Sequence, residues 1–246
     1  MKIKHIWLFI TSMLFVGNVM MSQDSLSIEK VRDYKVFSLR LGADLFKPIK
    51  TSFEDNFQGF EIVGDLKINR RIFIAAELGS EKKSQQTEQI NFTTKGSYIK
   101  LGVDYNFFNN WKGMDNSLFV GIRISNSVHS HTVNEYILYE NYSAENIENT
   151  YFERSIIKEG FLIGERQQLN SSWIEVLFGT KVEVLKNFYI GASIRLHRLL
   201  NNSQPKNFGN LYAPGFNTIV DDNRFGASFN YTLNYKFPFS FKKNKG

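Results

Sequence analysis

SWIEVLFGTKVEVLKNFYIGASIRLH, residues 172–197, carries the pattern on which the fold turns. Ile174, Val176, Phe178, Thr180, Val182 and Val184 share one parity, and Glu175, Leu177, Gly179, Lys181 and Glu183 share the other. After the short link Leu185–Asn187 the alternation resumes. Phe188, Ile190, Ala192, Ile194 and Leu196 now stand against Tyr189, Gly191, Ser193, Arg195 and His197. Successive side chains of an extended chain point to opposite sides, so a period of two marks strands with one apolar face each. A link this short joins only antiparallel neighbours.

The same period runs through the rest of the chain beyond Tyr34. Phe37, Leu39, Leu41, Ala43 and Leu45 alternate with polar or small residues, as do Phe60, Ile62, Gly64, Leu66 and Ile68. Ile72, Ile74, Ala76 and Leu78 follow, then Ile99, Leu101, Val103, Tyr105 and Phe107, then Leu118, Val120, Ile122 and Ile124. The last strand sets Phe225, Ala227, Phe229, Tyr231, Leu233, Tyr235 and Phe237 against Gly226, Ser228, Asn230, Thr232, Asn234 and Lys236. None of these apolar-face positions is charged, although 22% of the chain is Asp, Glu, Lys or Arg.

Alternation alone does not say which face points outward, but three features favour an apolar exterior. Gly42, Gly79, Gly102, Gly121, Gly179, Gly191 and Gly226 interrupt the polar faces, where a narrow lumen needs space for neighbouring long side chains. The charges on those faces balance: Arg40, Lys67, Lys100, Arg123, Lys181, Arg195 and Lys236 against Asp44, Glu61, Asp65, Glu77, Asp104, Glu175 and Glu183. In a closed interior such a set must pair, because an unpaired buried charge is costly. The connections also alternate. Links Phe46–Gly59, Ser80–Gly96, Asn126–Ser172 and Leu200–Arg224 are long, whereas Asn69–Arg71, Phe108–Asn116 and Leu185–Asn187 are short. Short turns at one end and long loops at the other are the pattern of outer-membrane barrels. The expectation is an all-β, eight-stranded antiparallel up-and-down transmembrane β-barrel over residues 35–240, with both termini periplasmic and its longest loop at about 126–172. Ten strands, with two more inside that loop, is the alternative.

The N-terminus reads as an address. Lys2 and Lys4 precede an apolar run from Ile6 to about Met20, and Ser22, Gln23 and Asp24 follow. This is the layout of a secretory signal peptide, residues 1–22, with 23–34 as a periplasmic segment. Of 246 residues 42% are hydrophobic, too many for a disordered chain, and none is Cys, which excludes disulfide scaffolds and thiolate metal sites. The net charge of +6 drops to +1 once Lys2, Lys4 and the tail lysines Lys242, Lys243 and Lys245 of residues 241–246 are set aside, so no nucleic-acid partner is expected.

These residues resemble the small eight-stranded outer-membrane barrels of the OmpX and OmpA transmembrane-domain kind. The stretch RFGASFNY, through to NYKFPF, is similar to the C-terminal signal read by the barrel assembly machinery, with Gly226, Phe229, Tyr231 and Phe237 at the matching positions. LRLGADLFKPI, GSYIKLGVDYNFF and the opening stretch above resemble a Bacteroidota outer-membrane barrel family of unknown function. The resemblance implies fold and location; it brings no activity and no catalytic residues.

Candidate chemistry is sparse. His129 and His131, with Ser127 and Ser130 nearby in the third long loop, and His197 near the upper end of its strand, are the available catalytic groups for a lipid-modifying enzyme or hydrolase. No third ligand completes a metal set around His129-x-His131, so no metal or cofactor is expected. Lys47, Lys82, Lys95 and Arg198 continue the outward parity at the upper strand ends, where they would meet lipid or lipopolysaccharide phosphates. Phe107, Phe108, Trp111, Phe188, Tyr235 and Phe237 would form an aromatic girdle at the other end. The expected role is structural, or binding of a surface or envelope partner through the 126–172 loop. A soluble exported barrel that binds an apolar ligand in its interior is the remaining alternative.

Overall fold

The computed structural model describes residues 38–110, 115–142, 151–158, 163–164, 166–205, 209–219 and 224–238. The expected leader 1–22, the segment 23–34, the tail 241–246, Phe37 and Trp111 lie outside the described residues. Eight strands close on themselves in chain order: β1 (Ser38–Asp44), β2 (Phe57–Lys67), β3 (Ile72–Gln86), β4 (Ile90–Asn106), β5 (Ser117–Tyr142), β7 (Arg166–Leu185), β8 (Phe188–Asn202) and β11 (Phe225–Pro238). Every neighbour is antiparallel, and the ring shuts where Leu39 faces Phe237 and Asp44 faces Thr232. The fold is all-β, and the barrel has eight strands, not ten. β6 (Tyr151–Ile157) pairs only with the far end of β5, Tyr136–Tyr142, and adds no strand to the wall.

Burial is inverted with respect to a water-soluble protein. Leu78, Leu101, Ile122, Val176, Phe178, Ile194 and Phe229 each expose about half of their surface or more, while Arg40, Glu61, Asp65, Glu77, Arg123, Glu175 and Arg195 are buried. The apolar faces therefore point outward and the charged faces inward. The interior is charged and does not offer the apolar lining that a soluble ligand-holding barrel would need.

On the outer face apolar side chains form a belt that ends at a definite level. Ile174 to Val184 on β7 spans roughly 34 Å of strand, or about 26 Å of height at a tilt near 40°. Above it the outward positions turn polar: Ser80 pairs with Ser97 across β3 and β4, and Asn126 with Ser172 across β5 and β7. At the lower end Phe107, Phe108, Phe188 and Phe237 are exposed. Phe188 packs edge-on against Tyr235 at 5.0 Å between ring centroids.

Two of the four long connections, Ser80–Gly96 and Asn126–Ser172, are mostly strand. β5 is 26 residues long, where a tilted wall strand needs about 9–11 to cross an apolar layer. β3, β4, β5 and β7 continue upward past the belt, so much of the expected 126–172 loop is a sheet extended by β6. The Phe46–Gly59 link contains helix α1 (Phe46–Phe53). The Leu200–Arg224 link holds a small hairpin, β9 (Tyr212–Ala213) with β10 (Asn217–Thr218).

Candidate functional site: the packed lumen and its mouth

The inward parity of eight strands brings charges from distant parts of the chain into one column. At its centre, Arg195 gives Glu77 two hydrogen bonds, Nη1 to Oε2 at 2.6 Å and Nη2 to Oε1 at 3.1 Å, and reaches Glu175 at 3.2 Å. Arg123 binds Asp104 with both Nη atoms, at 2.6 and 3.0 Å, and turns its Nε to Glu77 at 3.1 Å. Lys100 lies 3.1 Å from Glu175. Lower down, Arg40 Nε donates to Asp65 at 2.6 Å and its guanidinium sits over the ring of Phe73, 4.6 Å from the centroid. Lys181 takes the other oxygen of Asp65. Lys67 and Lys236 share Asp115. Glu183 caps the β7–β8 turn, accepting the Asn187 N–H at 2.8 Å, and Asp44 accepts the Lys47 N–H at 2.7 Å.

Glycines make this packing possible. A Cβ on Gly79 would lie 2.2 Å from the hydroxyl of Tyr98, whose ring is fixed because that hydroxyl donates to Glu61. The void left among Glu77, Arg123, Lys181 and Arg195 is about 20 Å³, room for a single water.

The mouth is closed by the β9–β10 hairpin. Phe216 and Ala213 pack on Tyr98, Trp173, Leu199 and Ile219 as a buried apolar cluster. Gly215 permits this entry: its φ is +81°, a backbone conformation that disfavours a side chain, and a Cβ there would strike the Tyr98 ring at 2.7 Å. Glu81 holds the hairpin, accepting from the Tyr212 hydroxyl at 2.8 Å and the Gly215 N–H at 3.0 Å.

The described contacts of the three histidines are to hydroxyls, an amide and aromatic rings. His129 and His131 are buried on β5, not solvated in a loop. The His129 ring lies between Ser127 Oγ at 3.3 Å and the Asn210 amide nitrogen at 3.1 Å. The His131 ring contacts Thr94 Oγ1 at 3.2 Å and tilts against Phe92. His197 packs against Phe216, 4.7 Å between centroids. Among the described residues no hydrogen bond joins any of these rings to a carboxylate, and no cluster of three metal-ligating side chains occurs.

Burial depresses the basicity of both β5 histidines above the belt, His131 down to about 4, with the His129 charge adding to the effect. The folded value lies below the unfolded one, so this group's stabilising effect is complete above about pH 6.5 and is lost as pH falls toward 4. The loss approaches ~3 kcal/mol at the acid end. The protection factors of amides in β4–β5 above Ser97, corrected for the intrinsic pH dependence of exchange, should therefore fall between pH 6.5 and 4, and His131→Leu should remove much of that fall.

The outward basic residues divide. Lys82 and Lys95 are exposed and stand directly opposite each other across β3 and β4. Arg198 is exposed and covers the Phe225 ring. Lys47 departs from the sequence expectation: α1 turns it inward, and its ammonium lies 3.2 Å from Glu61 and 3.6 Å from Glu81. Outward parity does not survive the switch from strand to helix at Leu45. Of the assembly-signal positions, Gly226, Phe229, Tyr231 and Phe237 all lie on β11, with Gly226 facing the His197 ring.

Glu81, Tyr98, Asp115, Trp173, Asn210, Tyr212 and Phe216 were not foreseen as members of the lumen network. Glu81 was accessible, since it continues the parity of Glu77 and Gly79 by one step. Asp115 lies just before β5, where period two gives no signal.

The geometry defines a class: a closed eight-stranded barrel with an apolar outer belt, an ion-paired core and a plugged mouth. Residues 2–243 match the family described as a domain of unknown function, DUF6048, and the chain belongs to that family. Among solved structures it is similar to Ail, the attachment invasion locus protein of Yersinia pestis, at 12% identity and a TM-score of 0.39, covering 82% of this chain and 97% of that one. Ail in complex with the heparin analogue sucrose octasulfate matches at 11% and 0.38, over 82% and 97% of the two chains. Neisserial surface protein A matches at 12% and 0.38, over 83% and 96%. The search of curated proteins finds no match.

Proposed function

We propose that this chain is an exported outer-membrane protein whose barrel is a mount. The sheet it raises above the membrane then meets an external partner. The observation that carries the reading is the inverted burial: a continuous ring of half-exposed aliphatic and aromatic side chains around a charged core. Water would penalise such an exterior, whereas hydrocarbon favours it. No helix among the described residues is long and apolar enough to cross a membrane, so the crossing elements of this proposal are the strands. The leader at 1–22 supplies export, and the short-turn end, where β1 begins and β11 ends, faces the periplasm. Paired side chains pack the lumen around Glu77, Arg123 and Lys181, and the hairpin covers the mouth, which favours mounting over conduction. The strand length beyond the belt exceeds what spanning requires and has binding as its natural use. The opposed Lys82–Lys95 pair at the belt margin repels itself unless an anion lies between, and lipid phosphate is the anion at hand there.

The test is a carbonate-washed membrane fraction run on an SDS gel without and with boiling. The expected result is retention in the pellet and a heat-dependent change in mobility. Release by the wash, with one mobility in both lanes, would overturn the membrane reading.

A further inference from the structure

The wall of the barrel is incomplete on one side. β1 ends at Asp44 opposite Thr232 of β11, and its last partner on β2 is Ile62. Beyond that point β2 continues to Phe57 and β11 to Phe225, each paired on its far side, with β3 and β8. The Tyr231 carbonyl still accepts the Leu45 N–H, at 2.7 Å. From Gly226 to Asn230, no strand among the described residues pairs with the β1-side edge of β11.

Helix α1 stands where β1 would have continued. Thr51 Oγ1 accepts the Gly59 N–H at 2.9 Å and so closes the β2 side. Phe46, Ile49 and Phe53 face outward and are exposed, while Lys47 points to the lumen. Among the described residues nothing equivalent closes the β11 side, and there the structure has a cavity of about 450 Å³. Ala227, Phe229 and Tyr231 from the outward face of β11 line it, as do Ser228 and Asn230 from the inward face. A cavity bordered by both faces of one strand must pass around an edge of that strand. The β8 edge is paired, so the passage lies between β11 and α1.

The level of this opening is informative. Phe229 is opposite Ile194 and Ala227 opposite Leu196, both outward members of the apolar belt. The slot therefore leads sideways from the belt into the barrel. Away from the belt its lining is basic, with Lys47, Lys50, Lys83, Lys100 and Arg195 bordering the space and Glu81 as the acid among the lining residues. Lys50 lies 3.8 Å and Lys83 3.2 Å from Glu54, whose side chain is 43% exposed, so solvent already shares the charge of their common partner.

We infer that this slot is a lateral binding site for an anionic amphiphile from the surrounding membrane. The acidic head sits against Lys50 and Lys83, and the chain runs out past Phe229 and Tyr231. The inference rests on the membrane reading above. The volume falls within the range of about 300–1,000 Å³ typical of small-molecule sites. A cavity bordered by Ala227, Phe229 and Tyr231 at the belt and by lysines elsewhere matches a molecule that is apolar at one end and anionic at the other.

The test uses the full mature chain in phosphatidylcholine nanodiscs, with 11-(dansylamino)undecanoate as the fluorescent probe. Saturable binding is expected. Affinity should fall at least tenfold in Lys50→Gln/Lys83→Gln and be abolished in Ala227→Trp, which fills the slot from its outer end. Both variants should keep the heat-dependent gel mobility of the folded barrel. Millimolar inorganic phosphate should not displace the probe. Displacement would make the site one for a soluble anion and overturn the lipid assignment. Undiminished binding in both variants, or no saturable binding by a folded barrel, would overturn the slot while leaving the membrane reading intact. Failure to enter nanodiscs as a heat-modifiable species would remove the membrane reading itself, and the slot with it.

Discussion

Arg195→Met should destabilise the barrel by about 3–5 kcal/mol, the usual cost of removing one partner from a buried ion pair. Arg195 serves two carboxylates, Glu77 and Glu175, whose side chains are 4% and 0% exposed. Methionine fills similar volume but leaves Glu77 to Arg123 and Glu175 to Lys100, each of which has another acid to satisfy. Urea unfolding from phosphatidylcholine vesicles, followed by the fluorescence of Trp173, measures the effect. Glu77→Gln in the Arg195→Met background should recover part of the loss, because it removes the orphaned charge. A cost under about 1 kcal/mol would mean that water enters the column and solvates Glu77. Lys67→Met is the internal contrast: Asp115 keeps Lys236 and is 11% exposed, so its effect should be markedly smaller.

The wall strands were legible in the sequence because the side-chain period of an extended chain is a local property. A register such as Ile174 to Val184 needs no knowledge of its neighbours. The direction of the faces was also legible, through glycines that only a crowded interior requires; Gly121 gives way to Asp104, Arg123 and Leu177. The pairing inside the lumen was not. Arg195 and Glu77 are separated by 118 residues, and their contact depends on closure of the ring, which no local pattern encodes. The parts above the belt read as loops in the sequence, wrongly, for a physical reason. Once strands leave the apolar layer, their outward faces turn polar, as at Ser80, Lys82 and Ser84, and the alternation that identifies a strand disappears while the backbone pairing goes on. The histidines followed from the same error: His129 and His131 occupy inward positions of a strand that continues past its apolar signature.

The slot and the plug together explain why α1 interrupts the wall. A β1 as long as its neighbours would have covered the Gly226–Asn230 edge and left Lys47 on an outward parity. The helix instead carries Lys47 to Glu61 and Glu81, and Glu81 in turn holds Tyr212 and Gly215 of the hairpin. One carboxylate thus joins the side opening to the mouth closure, and both features depend on the early end of β1.

Ile122→Arg carries the second large expected effect. Ile122 is outward on β5, 52% exposed, and flanked by Val103 of β4 and Val176 of β7. In a water-soluble barrel an exposed isoleucine replaced by arginine changes stability by no more than about 0.5 kcal/mol. Against hydrocarbon the same guanidinium costs about 2–4 kcal/mol near the middle of the layer and about 0–1 at its margin. Ser97→Arg supplies the margin on β4, where the outward face has become polar, and should be close to neutral. Urea midpoints of both variants, measured first in phosphatidylcholine vesicles and then in a short-chain zwitterionic detergent, give the comparison. The expected result is a large loss for Ile122→Arg in vesicles, a smaller one in detergent whose micelle deforms around the charge, and little change for Ser97→Arg in either. Equal, small effects at both positions would place water against Ile122 and overturn the lipid-facing belt from which the proposed function and the lateral slot both follow.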